Sequence, residues 1–93
     1  MMSLERALSA AIERVAKDGG VDTLPALQAD TPLMEYFDSL GLLNIVMATE
    51  SELETRLGRY VMLADDTLMD AVTSPFRTFG GWCAYVQSQI GSA

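Results

Sequence analysis

Residues 38–58 read DSLGLLNIVMATESELETRLG, and this run decides the fold. Asp38 is a strong helix N-cap whose negative charge suits the positive end of a helix dipole. Gly58 is a natural stop. Between them Leu40, Leu43, Val46, Met47, Leu53 and Leu57 recur at helical spacing and form the expected apolar stripe. Leu42 and Ile45 widen it, so the helix is either buried on more than one side or offers apolar contacts to a partner. Glu50, Glu52, Glu54 and Arg56 mark its wetter end.

Upstream, Val21 to Phe37 shows no sustained period and contains Pro25 and Pro32, so it reads as a long ordered loop. Val21, Leu24, Leu27, Leu33 and Phe37 are the residues expected to pin it to the core. A loop of this length in so small a domain is uncommon and often functional. Before it, Leu4, Ala7, Leu8, Ala11, Ile12 and Val15 follow i, i+3, i+4 spacing, opposite Glu5, Arg6, Glu13, Arg14 and Lys17. This predicts an amphipathic helix with Ser3 as N-cap and Gly19-Gly20 as stop.

Downstream, Arg59 to Ala64 reads as an extended connector with Tyr60, Val61 and Leu63 packing inward. Asp65 or Asp66 caps a short helix to about Val72, which Thr73-Ser74-Pro75 breaks. Thr78 caps a last helix from Phe79 to about Ile90, with Phe79, Trp82, Cys83, Val86 and Ile90 on one face. Gly80-Gly81 is expected to weaken its first turn. The expectation is a single all-α domain over residues 1–93: a small four-helix bundle of three main helices and one short one, with a long loop between helices 1 and 2.

The formal net charge is −7, from thirteen acids and six bases, with no histidine. From Asp18 to Thr55 there are eight acids and no base, while the remainder carries five acids and six bases. Such a surface repels nucleic acid and anionic membranes and steers basic partners toward the acidic stretch. The alternative is a solvated face that only aids solubility. No run approaches the ~18 apolar residues of a membrane span. Met1 to Lys17 has no long apolar region and carries Glu5 and Glu13, which argues against a secretory or transit segment. The expected setting is cytoplasmic.

Ser39 falls in the first turn of the decisive helix, where unpaired backbone N–H groups and the dipole favour a phosphate. No His or Lys stands nearby in sequence to activate it, so the spacing suits a modified serine better than a nucleophile. The local alternative is that Ser39 is one more capping residue. A hydrolase reading is poor. The chain has no histidine, no Gly-x-Ser-x-Gly turn surrounds the serine, and Lys17 is the only lysine.

Asp38-Ser39-Leu40, followed by Leu43 to Ala48 and then Glu50 and Glu52, resembles the Asp-Ser-Leu helix of acyl carrier proteins. Thr78-Phe79-Gly80 with Tyr85-Val86 is similar to that family's last helix, and helix order, loop placement and acidity agree. The resemblance implies a non-catalytic carrier without a metal. Its 4′-phosphopantetheine, taken from coenzyme A by a phosphopantetheinyl transferase, is attached to Ser39, with Asp38 beside it. Leu40, Leu43, Asn44, Met47, Glu50 and Glu52 are the implied partner-binding residues. The arm's thiol would hold an acyl or aminoacyl group as a thioester. Loading ligases and transferases with basic docking surfaces would meet a monomeric carrier.

Two departures stand out: Tyr36-Phe37 precedes the Asp where the family has small residues, and Gly41 and Asn44 replace frequent acids. Asp38-Ser39-x-Gly41 is closer to D-alanyl carriers, which suggests a specialised carrier for an amino acid or unusual acyl group. The competing expectation is an unmodified acidic helical interaction domain in which Ser39 is dispensable.

Among the remaining residues, Cys83 is the only cysteine and is expected in the core, with Trp82 partly buried. Met47, Met62 and Met69 read as gap-fillers. Asp65, Asp66 and Asp70 read as a cap and a solvated turn, since no calcium-loop pattern surrounds them.

Overall fold

A computed structural model describes residues 3–65, 68, 70 and 74–91 of the chain. Among the described residues there are helices and no strands. α1 spans Leu4–Asp18, α2 Ser39–Leu57 and α3 Phe79–Gly91, with short 3-10 turns at Leu33–Glu35 and Pro75–Arg77. Most of the short helix expected up to Val72 lies outside the described residues, as do Asp66 and Met69.

The helix ends follow local chemistry. Ser3 Oγ accepts from the Arg6 amide at 3.2 Å, and Gly19 closes α1. Asp38 Oδ1 accepts from the Gly41 amide at 2.8 Å, and Gly58 closes α2 at φ 71, a left-handed conformation that glycine adopts without penalty. Ala7, Leu8, Ala11, Ile12 and Ala16 of α1 are buried.

α2 buries only part of the expected stripe, Val46 and Leu53, together with the residues that widen it. Leu42, Ile45, Val46, Thr49 and Leu53 are buried, whereas Leu40, Leu43, Met47 and Leu57 of the expected stripe are exposed. The first half of the helix is apolar all round, so periodicity alone cannot select the core side.

The loop of residues 21–37 is held by α3. The Phe79 amide donates to the Thr31 carbonyl and the Gly80 amide to the Ala29 carbonyl, both at 2.8 Å. The Gly81 amide donates to Thr78 Oγ1 at 2.9 Å, so the first amides of α3 are satisfied by the loop and the cap. A Cβ on Gly80 would stand 2.9 Å from the Ala29 carbonyl oxygen. Gly80, which sequence reasoning counted with Gly81 as a weakness, is therefore what admits the loop. Within the loop, Thr31 Oγ1 accepts from the Gln28 amide at 2.9 Å, Leu33 and Phe37 are buried, and Val21, Leu24 and Leu27 pack against the core from its edge.

Trp82 is fully buried rather than partly, stacked on Phe76 at 4.5 Å between ring centroids and near Tyr85 at 5.8 Å. Among the described residues neither its Nε1 nor the buried Thr49 Oγ1 finds a partner. Val61 and Leu63 of the connector are buried as expected, but Tyr60 is exposed, as is Met62. Cys83 sits half-buried at the core's edge. Among the described residues no helix is long and apolar enough to cross a membrane.

Gly80→Ala should destabilise the chain by roughly 1–3 kcal/mol through overpacking against the loop. That outweighs the about 1 kcal/mol that alanine normally gains in a helix. Urea unfolding beside Ser88→Ala, an exposed change on the same helix, reads the difference; equal stabilisation of both variants would mean that the loop does not rest on α3.

Candidate functional site

Asp38 is fixed from both sides. Behind it, Tyr36 and Phe37 both hydrogen-bond the Leu33 carbonyl at 3.1 Å, ending the 3-10 turn and sending the buried Phe37 ring into the core. Ahead of it, the Leu42 amide donates to the Asp38 carbonyl at 2.9 Å as the first bond of α2. Ser39 is thus the first helical residue, and it is exposed. Asp38 takes the Gly41 amide, while the Ser39 and Leu40 amides have no partner among the described residues. An exposed hydroxyl beside two unpaired amides and a positive dipole end suits an esterified phosphate.

The departures at Tyr36-Phe37 and Gly41 are connected. A Cβ on Gly41 would lie 3.1 Å from Phe37 Cδ1 and 3.2 Å from Phe37 Cβ, so the aromatic ring and the missing side chain fit each other. Beside them a cavity of about 220 Å³ is lined by Val15, Gly19, Val21, Tyr36, Phe37, Asp38, Leu40, Gly41 and Asn44. Sequence reasoning did not foresee that the end of α1 borders this site.

The expected partner-binding residues divide into two groups. Leu40, Leu43 and Met47 are 65%, 46% and 54% exposed, large values for apolar side chains, and with the exposed Asn44 they share one face of α2. Glu50 and Glu52 are half-buried. Glu50 is engaged within the fold: its Oε2 accepts from the Leu63 amide at 2.8 Å and the Ala64 amide at 3.3 Å. The Tyr85 hydroxyl donates to the Leu63 carbonyl at 2.6 Å. Burial, with the nearby Asp65 and Glu50 carboxylates, raises the Tyr85 hydroxyl above its ordinary range. From Ser39 to Thr49 there is no charged residue, so apart from the exposed Asp38 carboxylate the α2 surface nearest the serine is uncharged.

The cavity's lining residues include no lysine or arginine, and Asp38 is the one ionised side chain among them. No group of three or more His, Cys, Asp or Glu able to hold a metal occurs among the described residues. Burial, aided by Glu5, pushes the Cys83 thiol up to about 11.

In comparisons with known proteins, no family model, no curated protein and no solved structure matches the chain.

Glu50→Ala should free the connector, because a carboxylate accepting two amides is worth about 1.5–3 kcal/mol. Hydrogen exchange at Leu63 and Ala64 should accelerate more than at Leu53 or Val86. Uniform acceleration across the chain would assign Glu50 a general rather than a local role.

Proposed function

We propose that this chain is a stand-alone carrier that bears a 4′-phosphopantetheine arm on Ser39 and delivers a thioester-linked acyl or aminoacyl group to partner enzymes. The observation that carries the reading is Ser39 itself: an exposed serine at the first position of a well-capped helix, with free amides beside it. The chain contributes attachment and recognition, and the chemistry belongs to its partners. In attachment, the serine hydroxyl oxygen would bond to the β-phosphorus of coenzyme A. The phosphoanhydride bond breaks, 3′,5′-adenosine bisphosphate leaves, and the hydroxyl proton passes to a base of the transferase.

On this reading, Leu40, Leu43 and Met47 form the surface a partner covers when it approaches Ser39. Asp38 orders the turn that presents the serine. Glu52 and Glu54 add long-range attraction for a basic partner. Glu50 serves the connector first. A monomer suits a carrier that visits several enzymes.

The exposed apolar face equally suits a small interaction domain whose serine is never modified, and one experiment separates the two. The chain is incubated with a broad-specificity phosphopantetheinyl transferase, Mg²⁺ and coenzyme A, beside Ser39→Ala, and intact masses are measured. A gain of one phosphopantetheine in the wild type alone is expected, with the helical circular dichroism of Ser39→Ala nearly unchanged. No gain, under conditions that load a control carrier, would leave the unmodified interaction domain as the better reading.

A second readout uses the suppressed thiol. With a pKa near 11, about one Cys83 thiol in a thousand is ionised at pH 8, so alkylation of the unloaded chain should be slow and should accelerate with rising pH. Loading should add a rapidly alkylated thiol. Rapid alkylation before loading would show that Cys83 is not shielded.

A further inference from the structure

We propose that Met47 is a site of reversible oxidation by peroxide, and that its sulfoxide weakens docking at the apolar face beside Ser39. The inference rests on the carrier reading and goes beyond it, since it places that face under redox control.

Placement is the first ground. Met47 stands four residues from Leu43 and seven from Leu40, so the three side chains form one strip on α2. Met47 is 54% exposed, and its neighbours in the strip are leucines, which peroxide leaves alone. The strip's one oxidisable atom is therefore the Met47 sulfur. It lies eight residues from Ser39, roughly 12 Å along the helix axis, within the footprint of a partner seated on the serine.

Competition among the sulfur groups is the second. Susceptibility to peroxide follows exposure, and for a thiol it also follows ionisation. Among the described residues the sulfur-bearing side chains are Met34, Met47, Met62 and Cys83. Met34 packs half-buried against the core. Cys83 is half-buried too, and burial keeps its thiol protonated at neutral pH. Met47 and Met62 stand out in water. Met62 belongs to the connector, where Gln89 Nε2 donates to its carbonyl, and not to the α2 strip. It offers the same chemistry on a different surface, which makes it an internal control.

The reaction itself is the third. The thioether sulfur attacks one oxygen of hydrogen peroxide. The S–O bond forms as the O–O bond breaks, and the proton of the transferred oxygen passes to the leaving hydroxide to give water. Sulfur is oxidised by two electrons, peroxide is reduced, and a reductase can return the sulfoxide to the thioether. The product is polar and the strip is apolar. Met47 lies outside the core, so the change falls on docking and spares the fold.

The test treats the unloaded chain briefly with hydrogen peroxide, removes the peroxide, and locates the added oxygens by peptide mass sequencing. Met47 and Met62 should be oxidised well ahead of Met34, with the helical circular dichroism unchanged. Treated and untreated chains, each below saturation, are then incubated with a phosphopantetheinyl transferase, Mg²⁺ and coenzyme A, and their rates of mass gain are compared. Losing about half of a methionine's burial should slow wild type and Met62→Leu roughly 3- to 10-fold after peroxide. Met47→Leu should load after peroxide at its own untreated rate, and methionine sulfoxide reductases with dithiothreitol should restore the wild type. Equal loading of treated and untreated wild type, or slowing that persists in Met47→Leu, overturns the switch and leaves the carrier reading intact. Oxidation of Met34 as fast as Met47 does the same. An untreated chain that gains no mass removes the carrier reading, and the switch with it.

Discussion

The structure depends on two backbone hydrogen bonds, from Phe79 to Thr31 and from Gly80 to Ala29, that tie the long loop to the start of α3. A helix start needs partners for its first amides, and a loop of residues 21–37 needs something to offset the entropy of being ordered. Each supplies what the other lacks. The consequence travels along the chain: with residues 28–31 fixed, the 3-10 turn at Leu33–Glu35 places Leu33 and Phe37 in the core, and Phe37 delivers Asp38 to the start of α2. Local capping exposes Ser39 at the helix start, and the loop that leads to it is anchored from the far end of the sequence, at Gly80.

α2 carries two apolar faces with different duties. Leu42, Ile45, Val46 and Leu53 join the core shared with α1 and α3, and Leu40, Leu43 and Met47 remain outside. Burying an exposed leucine or methionine fully contributes about 1.5–3 kcal/mol, so leaving three of them in water forgoes a sizeable stabilisation. An unpartnered apolar face adjoining an exposed serine is what makes an interaction role for this surface physically sensible. The same two-sidedness obscures the core face in the sequence, because the 3.6 period is drowned where almost every position is apolar.

What was legible follows from how local the cause is. Ser3, Asp38 and Thr78 as caps, and Gly19 and Gly58 as stops, act on amides and carbonyls within a few residues, and the helix boundaries they imply agree with α1, α2 and α3. The exposed placement of Ser39 at a helix start follows from the same local logic. The causes that were missed lie across the fold. Gly80 looks like a helix defect until Ala29 is placed against it. Glu50 stands in the sequence as one more acid at the wet end of α2, and its bonds to the Leu63 and Ala64 amides, more than a dozen residues on, leave no local signal. Tyr60 and Met62 share a hydrophobic run with Val61 and Leu63, yet alternate outward because the connector is extended.

Charge and apolar surface thus have separable effects at this site. Glu50 lies eleven residues beyond Ser39, roughly 16 Å along the helix axis, and Glu52 and Glu54 lie farther still. At physiological salt the Debye length is about 8 Å, so these acids act on a partner at Ser39 through two or more screening lengths. Exposed ion pairs are worth about 0–1 kcal/mol each. Covering even half of Leu40, Leu43 and Met47 contributes a comparable or larger amount, and does so beside the serine. A partner that reaches Ser39 would be guided over distance by the acidic end of α2 and held by the apolar end. Gly41 and Asn44 fit that division: Gly41 makes room for the Phe37 ring, and Asn44 adds a neutral polar group, and no charge beyond that of Asp38, to the face that carries Leu40, Leu43 and Met47.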